Sequence, residues 1–428
     1  MATTMPWGEE IEVRMELGFP VLPFTLGSTS LGVLGGNSYL GGTLQGLDVS
    51  PYVISIATNR GRPDQLQQFT AGTASIQLNN LDRRFDPINE SSPYWDATTE
   101  RSGVLPRRKV SVFCDGEPIF VGRITDIDIQ YLPNSPTNTT ETSTVTITAA
   151  DDFARLANTY TDAPVVPSEE FSGLRVTSIL DLAEVSYPAA DRQIGQGVAV
   201  LGGGAAFTID VNTNALSYLQ QINDAEQGYL FIAADGTLVF AERILPAFPV
   251  IAAQFSDDGT ELPYSGLDVI YGSEFLYNRV QTNVSGGTEQ IADDAQSQSE
   301  FGIITLALSD LLLKDDAAAL TLADVLLDRY AQPEYRFDRL RTIYNDLNAT
   351  DRADLTMLEI SNIVQVSRTF NVGTPASVTR EFSIEGVQHV ISAQSHSVTY
   401  ALAVATLLDQ FVLGDPEVGT LGTTNALV

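Results

Sequence analysis

Residues that carry nucleophilic, redox and metal chemistry are scarce in this 428-residue sequence. It has one cysteine and two histidines, so the cysteine has no disulfide partner within the chain. Cys114 shares the apolar face of a predicted strand with Val110 and Val112, and we therefore predict a buried, unreactive thiol. His389 and His396 could meet across a turn, but they lack the helical spacing of paired metal ligands, and we expect no metal there.

Basic residues are also few. The sequence has 23 Lys and Arg against 54 Asp and Glu, a net charge of −31 with a pI near 4.1. Such a surface repels DNA and gains nothing from counterion release, which argues against a protein that grips nucleic acid. DNA could still pass close to the protein, because a channel lined with negative charges repels the DNA phosphates and does not bind them. The acidity would serve solubility equally well, and the sequence leaves both interpretations open.

Long apolar runs are missing as well. The longest, residues 400–408, is broken by Thr406 and is too short to cross a bilayer. The first 17 residues have no basic region followed by an apolar core, so we expect no signal peptide and no membrane anchor.

Catalytic and nucleotide-binding motifs do not occur. There is no Gly-x-Ser-x-Gly turn, and glycines 202–204 lack the Lys and Ser/Thr of a phosphate-binding loop. A stretch starting at Asp210 begins like a calcium loop, but Ala215 and Gln221 stand where Gly and Glu are needed. Acidic residues are adjacent in the sequence at 151–152, 257–258 and 293–294. They could serve a glycosidase only if two carboxylates faced each other across one cleft. We predict no enzyme, no cofactor and no metal.

Apolar periodicity predicts three helices. The first covers 174–183, and its expected buried residues are Leu174, Ile179, Leu180 and Ala183. The second starts at the capping residue Asn214 and stops near Gly228, with Leu216, Leu219 and Ile222 buried. The third runs from about 315 to 330 before Pro333, with Leu320, Ala323, Leu327 and Tyr330 on one stripe.

Alternating patterns predict strands over much of the remainder. They are expected at 110–114, 119–129, 145–149, 229–240 (a hairpin with a type I′ turn at Asp235-Gly236), 336–344, 362–370, 379–387 and 397–405. In the strand 119–129 one face is predicted to hold Ile119, Val121, Thr125, Ile127 and Ile129. The other face then holds Phe120, Ile124, Asp126 and Asp128, and we interpret the two aspartates as an exposed acidic face, not a cation site.

The segment 59–123 carries the most specific pattern of the chain. It reads as a basic turn NRGRP (59–63), a strand at 74–78, a polar loop NNLDRRFDP (79–87), a Pro-Tyr-Trp loop (93–95) and a hairpin across 115–118. In that order the segment resembles the N-terminal part of minor tail proteins of long-tailed actinobacterial bacteriophages, the hub-like proteins of the tail tip. The helix and hairpin of 214–240 and the closing strands of 382–400 resemble later parts of the same family.

The resemblance implies a β-rich, multidomain α+β fold with two tail-tube-like β-barrel domains and an α+β insertion between them. The corresponding divisions are an N-terminal extension (1–46), a first barrel (47–160), the insertion (161–262), a second barrel (263–408) and a C-terminal tail (409–428). It also implies a virion protein of the tail tip, made in the host cytoplasm. As a homotrimeric hub ring it would join the six-fold distal tail to three-fold tip proteins. The implied partners are the distal tail protein, the tape-measure protein, other minor tail or receptor-binding proteins, and phage DNA in transit.

Two sets of residues follow as candidates for subunit contacts. Segments 24–40 and 411–427 align without a gap and share Phe, Leu and Gly positions. We predict docking loops that bind neighbouring subunits or an adjacent tail protein through Phe24, Leu26, Leu31, Leu34, Leu40, Phe411, Leu413 and Leu421. The basic loops are predicted to pair with carboxylates of an adjacent subunit through Arg60, Arg62, Arg83 and Arg84. Asp126 and Asp128 are candidates for the wall of a DNA channel.

Two other classes of function stay open at this point. One is a tail-associated hydrolase of cell wall or polysaccharide, which would need two of the acids in one cleft. The other is a carbohydrate-binding receptor protein, for which Tyr94 and Trp95 could stack on a sugar. For this aromatic pair we favour burial in a barrel end or a neighbouring subunit.

Overall fold

The computed structural model describes residues 2–17, 46–97, 99–132, 142–243, 250–405, 409–410 and 425–426. It is rich in strands and has few helices, which confirms the α+β class. The strands are β1 (Thr3–Thr4), β2 (Glu10–Met15), β3 (Leu47–Asp48), β4 (Val53–Gly61), β5 (Thr73–Asn79), β6 (Trp95–Asp96), β7 (Arg101–Ser102), β8 (Lys109–Cys114), β9 (Glu117–Leu132), β10 (Thr142–Ala150), β11 (Glu170–Phe171), β12 (Arg192–Ile194), β13 (Val200–Leu201), β14 (Tyr229–Ile232), β15 (Leu238–Ala241), β16 (Ile251–Ser256), β17 (Leu262–Pro263), β18 (Gly266–Tyr271), β19 (Arg279–Val284), β20 (Gln290–Asp293), β21 (Thr305–Leu311), β22 (Tyr335–Ile343), β23 (Ile363–Thr369), β24 (Ser377–Ser392), β25 (His396–Val404), β26 (Asp409–Gln410) and β27 (Asn425–Ala426). The α-helices are α1 (Phe153–Leu156), α2 (Ser172–Leu180), α3 (Ala215–Glu226), α4 (Ala295–Phe301), α5 (Asp316–Tyr330) and α6 (Ala349–Thr356).

Fifteen of these strands form one branched sheet. Its main path runs β1-β2-β8-β9-β10-β5-β4-β24-β23-β16-β17, and a branch leaves β24 through β25, β22 and β18. The sixteen-residue strand β24 makes this possible. Its first half pairs with β23 and its second half with β4, while β25 lies along the other side.

The pairing of β4 with β24 joins the two ends of the chain in one core. Isoleucines face each other across successive strands, with Ile147 opposite Ile76, Ile76 opposite Ile56, and Ile56 opposite Ile391. All four side chains are buried. The strands of the two predicted barrel regions are therefore continuous with each other, a long-range pairing that local patterns do not reveal.

The strand pairings between described residues form open sheets and close no ring, so the two barrels remain a prediction. The predicted domain limits differ from the sheet at one point. β16 pairs in parallel with β23 and so belongs to the large sheet, although it lies within the limits predicted for the insertion (161–262). The domain limits themselves stay a prediction. The inserted part consists of α2, α3 and the small sheet β12-β15-β14.

A β-bulge in β9 corrects the predicted faces of this strand. Ile124 pairs with Ala149 and Asp126 with Thr148, so Thr125 is the extra residue. Before the bulge, Phe120 and Ile124 point into the core. After the bulge, Ile127 and Ile129 point into the core. Asp126 and Asp128 are exposed. A period of two carried through 119–129 therefore placed Phe120 and Ile124 on the wrong face.

The capped helix predicted at Asn214 is confirmed. The side chain of Asn214 accepts a hydrogen bond from the Ser217 amide at 3.0 Å, and the predicted apolar residues of α3 are buried. The helix ends at Glu226, and the left-handed residue that follows it is Gln227 (φ 57°), one position before the expected Gly228. The prediction for α2 was partly wrong, because Leu174 is 52% exposed and Ala183 lies beyond the helix.

A second small α+β unit, formed by β19–β21 with α4 and α5, lies within the predicted second barrel. The predicted helix at 315–330 is confirmed as α5, and Asp315 caps it by accepting from the Ala318 amide at 2.8 Å. Ala323 and Tyr330 are buried as predicted. The prediction was wrong for Leu320, which is 37% exposed, and the rest of the buried stripe is Ala319, Leu322 and Leu326.

Two turn predictions also needed correction. At Asp235-Gly236 only the glycine has a positive φ, whereas a type I′ turn needs two such residues. The basic turn predicted at 59–63 is instead the end of β4. Gly61 there has φ 92°, and a Cβ on it would lie 2.3 Å from the Glu385 carbonyl oxygen, so the β4–β24 contact requires glycine.

Within the described residues, no helix is both long and apolar enough to cross a membrane.

Candidate functional surface

The outward face of the large sheet is a broad surface of small, mostly uncharged side chains. Directly opposed residues follow one another across six strands: Asp126, Thr148, Ser75, Ala57, Val390 and Ser397. The next row holds Asp128, Thr146, Gln77, Ser55 and Ser392. We call these two rows the sheet face. Because one side of each strand faces the isoleucine core, the side chains of the sheet face lie on the opposite side.

Asp126 and Asp128 lie at the β9 end of the sheet face and are exposed. Thr148 and Thr146 are their cross-strand neighbours. Neither aspartate has an ion-pair partner among the described residues. Their charges are therefore free to act on whatever lies in front of the sheet face.

Arg60, predicted to contact an adjacent subunit, is buried within its own chain. It is 3% exposed, and its Nη1 donates to Oε1 of Glu359 at 2.7 Å. The other carboxylate oxygen of Glu359 accepts from the Ala234 amide at 2.7 Å. Glu359 thus connects Arg60 of β4 to the hairpin of the insertion, and the charge of the arginine is matched inside the chain.

Arg62 makes a second such connection. Its Nε donates to Oε2 of Glu385 at 2.7 Å, and its guanidinium lies 4.4 Å from the Phe69 ring centre. The Tyr229 hydroxyl donates to Oε1 of the same Glu385 at 3.0 Å. Burial raises the pKa of Tyr229 well above its usual value, so this hydroxyl keeps its proton and stays a donor.

Arg83 and Arg84 lie in the polar loop before Pro87. Arg83 donates to Asp86 at 2.7 Å, and Tyr131 of β9 donates to the same carboxylate at 2.6 Å. Arg84 pairs with Asp82 and lies 3.9 Å from the Tyr52 ring centre. All four arginines therefore have carboxylate partners in their own chain, and their role in subunit contacts stays a prediction. The eight Phe and Leu residues of the predicted docking loops lie outside the described residues.

Buried polar side chains from four segments meet where the N-terminal segment touches β25. Glu9 Oε1 lies 2.5 Å from Nδ1 of His396 and accepts from the Cys114 thiol at 2.8 Å. Nε2 of His396 lies 3.0 Å from Nδ1 of His389. Sequence reasoning noted that the two histidines, seven positions apart, could meet. It missed Glu9 and Cys114, because these two lie more than a hundred positions from each other and from His396.

Burial and hydrogen bonding together determine the direction of the pKa shifts in this cluster. It raises the pKa of the Cys114 thiol well above its ordinary value, helped by the Glu9 carboxylate. Burial lowers the pKa of His389 well below its usual range. It would also raise the pKa of Glu9, but the contacts with His396, Cys114 and Trp7 outweigh it and the net direction is downward. The predicted buried thiol is confirmed.

The adjacent acids and Tyr94 of the aromatic pair have partners within the chain. Asp151 is buried and accepts from the amides of Gly72 at 2.6 Å and Phe153 at 3.0 Å; burial raises its pKa to about 7. Asp257 and Asp293 pair with Arg368 and Arg279. Tyr94 is buried with its ring centre 5.5 Å from that of Phe85, so it packs inside its own chain.

Comparison with known proteins gives a fold and no family. No family model matches the sequence, and no curated protein matches it. Among solved structures, the 43 kDa tail protein of prophage MuSo2 from Shewanella oneidensis is similar with a TM-score of 0.54 and 12% identity, over 93% of this chain and 98% of that one. The tail protein from Neisseria meningitidis MC58 gives a TM-score of 0.55 and 10% identity, over 92% and 96%. All three chains share one fold. At these identities the similarity establishes architecture, and it extends over nearly the whole of each chain.

Proposed function

We propose that this chain is a structural protein of a bacteriophage tail. The observation that carries the proposal is the shared fold with a prophage tail protein over 93% of this chain. The fold spans the sheet, the insertion and the smaller α+β unit together, so the similarity does not rest on one common domain.

Within the tail, the proposed place is a homotrimeric hub ring at the tip. Each chain supplies two groups of strands joined through β4 and β24. Three chains would present six such groups around one axis, which suits a junction between a six-fold distal tail protein and three-fold tip proteins. The ring would also contact the tape-measure protein and other minor tail or receptor-binding proteins. The resemblance to actinobacterial phage proteins supports this position.

The sheet face is proposed as part of the wall of the DNA channel. Threonine, serine, alanine and glutamine side chains offer few strong contacts to a phosphate backbone, and Asp126 and Asp128 repel it. DNA would pass such a wall without being held. Both aspartates are exposed and lie on the same side of the sheet, as this role requires.

Imaging of the tail tip by cryo-electron microscopy tests the hub directly. We expect a ring with three copies of this chain in which the sheet face borders the central channel. Mass photometry of the purified chain alone or with its neighbouring tail proteins gives the stoichiometry. A ring of another symmetry, or a sheet face pointing away from the axis, would contradict the proposal.

The channel role predicts a specific defect when its charge is reversed. Phages that carry the double variant Asp126→Lys and Asp128→Lys should assemble and adsorb normally, but eject DNA more slowly, on the order of tenfold, because lysines bind phosphate. The matched control is Glu289→Lys with Glu300→Lys, which makes the same charge change at exposed positions in the smaller α+β unit. Equal ejection rates of the two double variants would exclude the sheet face as channel wall.

We propose that the chain acts by assembly and not by catalysis. A zymogram on host cell wall should then show no clearing by the purified chain. Clearing that disappears when one carboxylate is substituted would support the hydrolase alternative. Binding of the isolated chain to a glycan array would support a carbohydrate receptor.

A further inference from the structure

Three side chains of metal-binding type converge at one buried point. Glu9 precedes β2, Cys114 ends β8 and His396 begins β25, and none of them is exposed. One oxygen, the sulfur and one ring nitrogen of this trio all lie within 4.8 Å of one another. Carboxylate, thiolate and imidazole are the donors that zinc uses in proteins.

Neighbouring groups hold each donor in place. Trp7 Nε1 donates to Oε2 of Glu9 at 2.6 Å, and His389 contacts the far nitrogen of His396 at 3.0 Å. Thr356 Oγ1 lies 3.7 Å from the sulfur of Cys114. Metal ligands in proteins are commonly oriented by such outer hydrogen bonds, above all a histidine through its second nitrogen.

A buried hydroxyl beside the cluster lacks a hydrogen bond. The Tyr344 ring centre lies 4.3 Å from that of His396, and its hydroxyl interacts electrostatically with Cys114. That hydroxyl is enclosed and lies near the side chains of Thr356 and Tyr400, but it forms no hydrogen bond of good geometry with any described residue. An unsatisfied buried polar atom indicates that the local network is incomplete.

We propose that Glu9, Cys114 and His396 bind one divalent transition-metal ion of the Zn²⁺ class. The thiol and imidazole select a borderline-soft ion over Mg²⁺ or Ca²⁺, which prefer oxygen donors. One carboxylate and one thiolate neutralise a doubly charged ion, so the buried site carries no net charge. Through its three ligands the ion connects the segment before β2 with β8 and with the β24–β25 hairpin.

Metal binding exchanges protons for the ion. The thiol proton is released to solvent. In the metal-bound state His396 is the neutral tautomer, whose single ring hydrogen is on Nε2 and is donated to Nδ1 of His389. The separations of 2.5 Å and 2.8 Å around Glu9 Oε1 are those of hydrogen bonds. Zinc–ligand bonds of about 2.0–2.3 Å put tetrahedral ligand atoms roughly 3.2–3.7 Å apart. To bind zinc, Glu9 Oε1 must therefore move away from the His396 nitrogen and the Cys114 sulfur by less than about 1 Å.

Metal analysis of the full chain tests this site. The chain expressed with zinc in the medium should contain one zinc per chain after gel filtration, and the chain expressed with cobalt should show the near-ultraviolet thiolate-to-cobalt absorption. Cys114→Ser should lose that absorption, and His396→Gln should lose most of the metal. The control Glu10→Gln changes the exposed neighbour of Glu9 and should retain both.

The wild-type chain decides the matter even if a variant fails to fold. Because Cys114 is the only cysteine, the cobalt–thiolate absorption can come from no other residue. The proposal would be overturned if the wild-type chain contained much less than one zinc per chain and showed no cobalt–thiolate absorption. The cluster would then be a network of hydrogen bonds only. This outcome is independent of the tail function.

Discussion

Arg62 and Glu385 are 323 positions apart in the chain, yet Nε of the arginine donates to the glutamate carboxylate at 2.7 Å. The exposed fractions of their side chains are 10% and 2%. Removing one partner from a buried pair leaves the other charge unmatched. We therefore expect Arg62→Met to lower the free energy of unfolding by about 3 kcal/mol, measured by urea denaturation.

Arg339→Met is the control for the Arg62 variant. Arg339 is 52% exposed and lies 3.6 Å from Asp338, so its loss should change the free energy of unfolding by less than about 1 kcal/mol. Equal losses of unfolding free energy in the two variants would show that the buried Arg62–Glu385 pair stabilises the protein no more than an exposed pair does.

Ile391 tests the shared core of the two ends of the chain. Ile391→Ala removes a buried side chain opposite Ile56 and should cost about 2–5 kcal/mol. Hydrogen exchange should report faster opening in β4 and β24 together, because both strands lose the same contact. Val390→Ala changes the next residue, which is 44% exposed, and should have little effect. Faster exchange confined to β24 would argue against a common core.

Asp151 gives the protein a pH-dependent stability. Its folded pKa of about 7 lies above the usual carboxyl value because the group is buried. The contribution of Asp151 to the free energy of unfolding is fully present below about pH 4. It is lost as the pH rises to about 7, a decrease of up to about 4 kcal/mol. Asp151→Asn should flatten this part of the stability profile, although it also loses one hydrogen bond. Asp152→Asn is the control, and an unchanged slope in Asp151→Asn would refute the assignment.

Asn214 provides a test of local helix capping. Asn214→Ala removes the acceptor for the Ser217 amide and should destabilise the protein by about 1 kcal/mol. The side chain also donates to the Ala157 carbonyl at 2.7 Å, so thermal unfolding of Asn214→Asp helps to separate the two contacts. The aspartate keeps the cap and should recover about half of the loss. Ser217→Ala, in the same helix but exposed, should be nearly neutral.

Local features of the fold were predictable because they depend on neighbouring residues. The cap at Asn214, the helix before Pro333 and the hairpin at Asp115-Gly116 each follow from a few adjacent side chains. Where a single extra residue intervened, as at Thr125 in β9, the period of two failed and the assigned faces exchanged.

Long-range features could not be read from the sequence. Nothing near Arg60 indicates Glu359, and nothing near Cys114 indicates His396, because these contacts depend on the pairing of β4 with β24. Carboxylate partners were predicted for the four arginines, but only the fold shows which carboxylates of the same chain they contact. The exposure of Asp126 and Asp128 was predictable, whereas the threonine and serine rows beside them were not.

The pairing of residues 55–61 with 386–392 has a consequence for synthesis on the ribosome. More than three hundred residues must be translated after β4 before its partner strand exists, so the nascent chain carries an unpaired strand edge throughout that time. Such edges invite pairing with other chains. Products truncated before β24 should therefore aggregate, and a chaperone that covers β4 during translation would raise the yield of full-length protein.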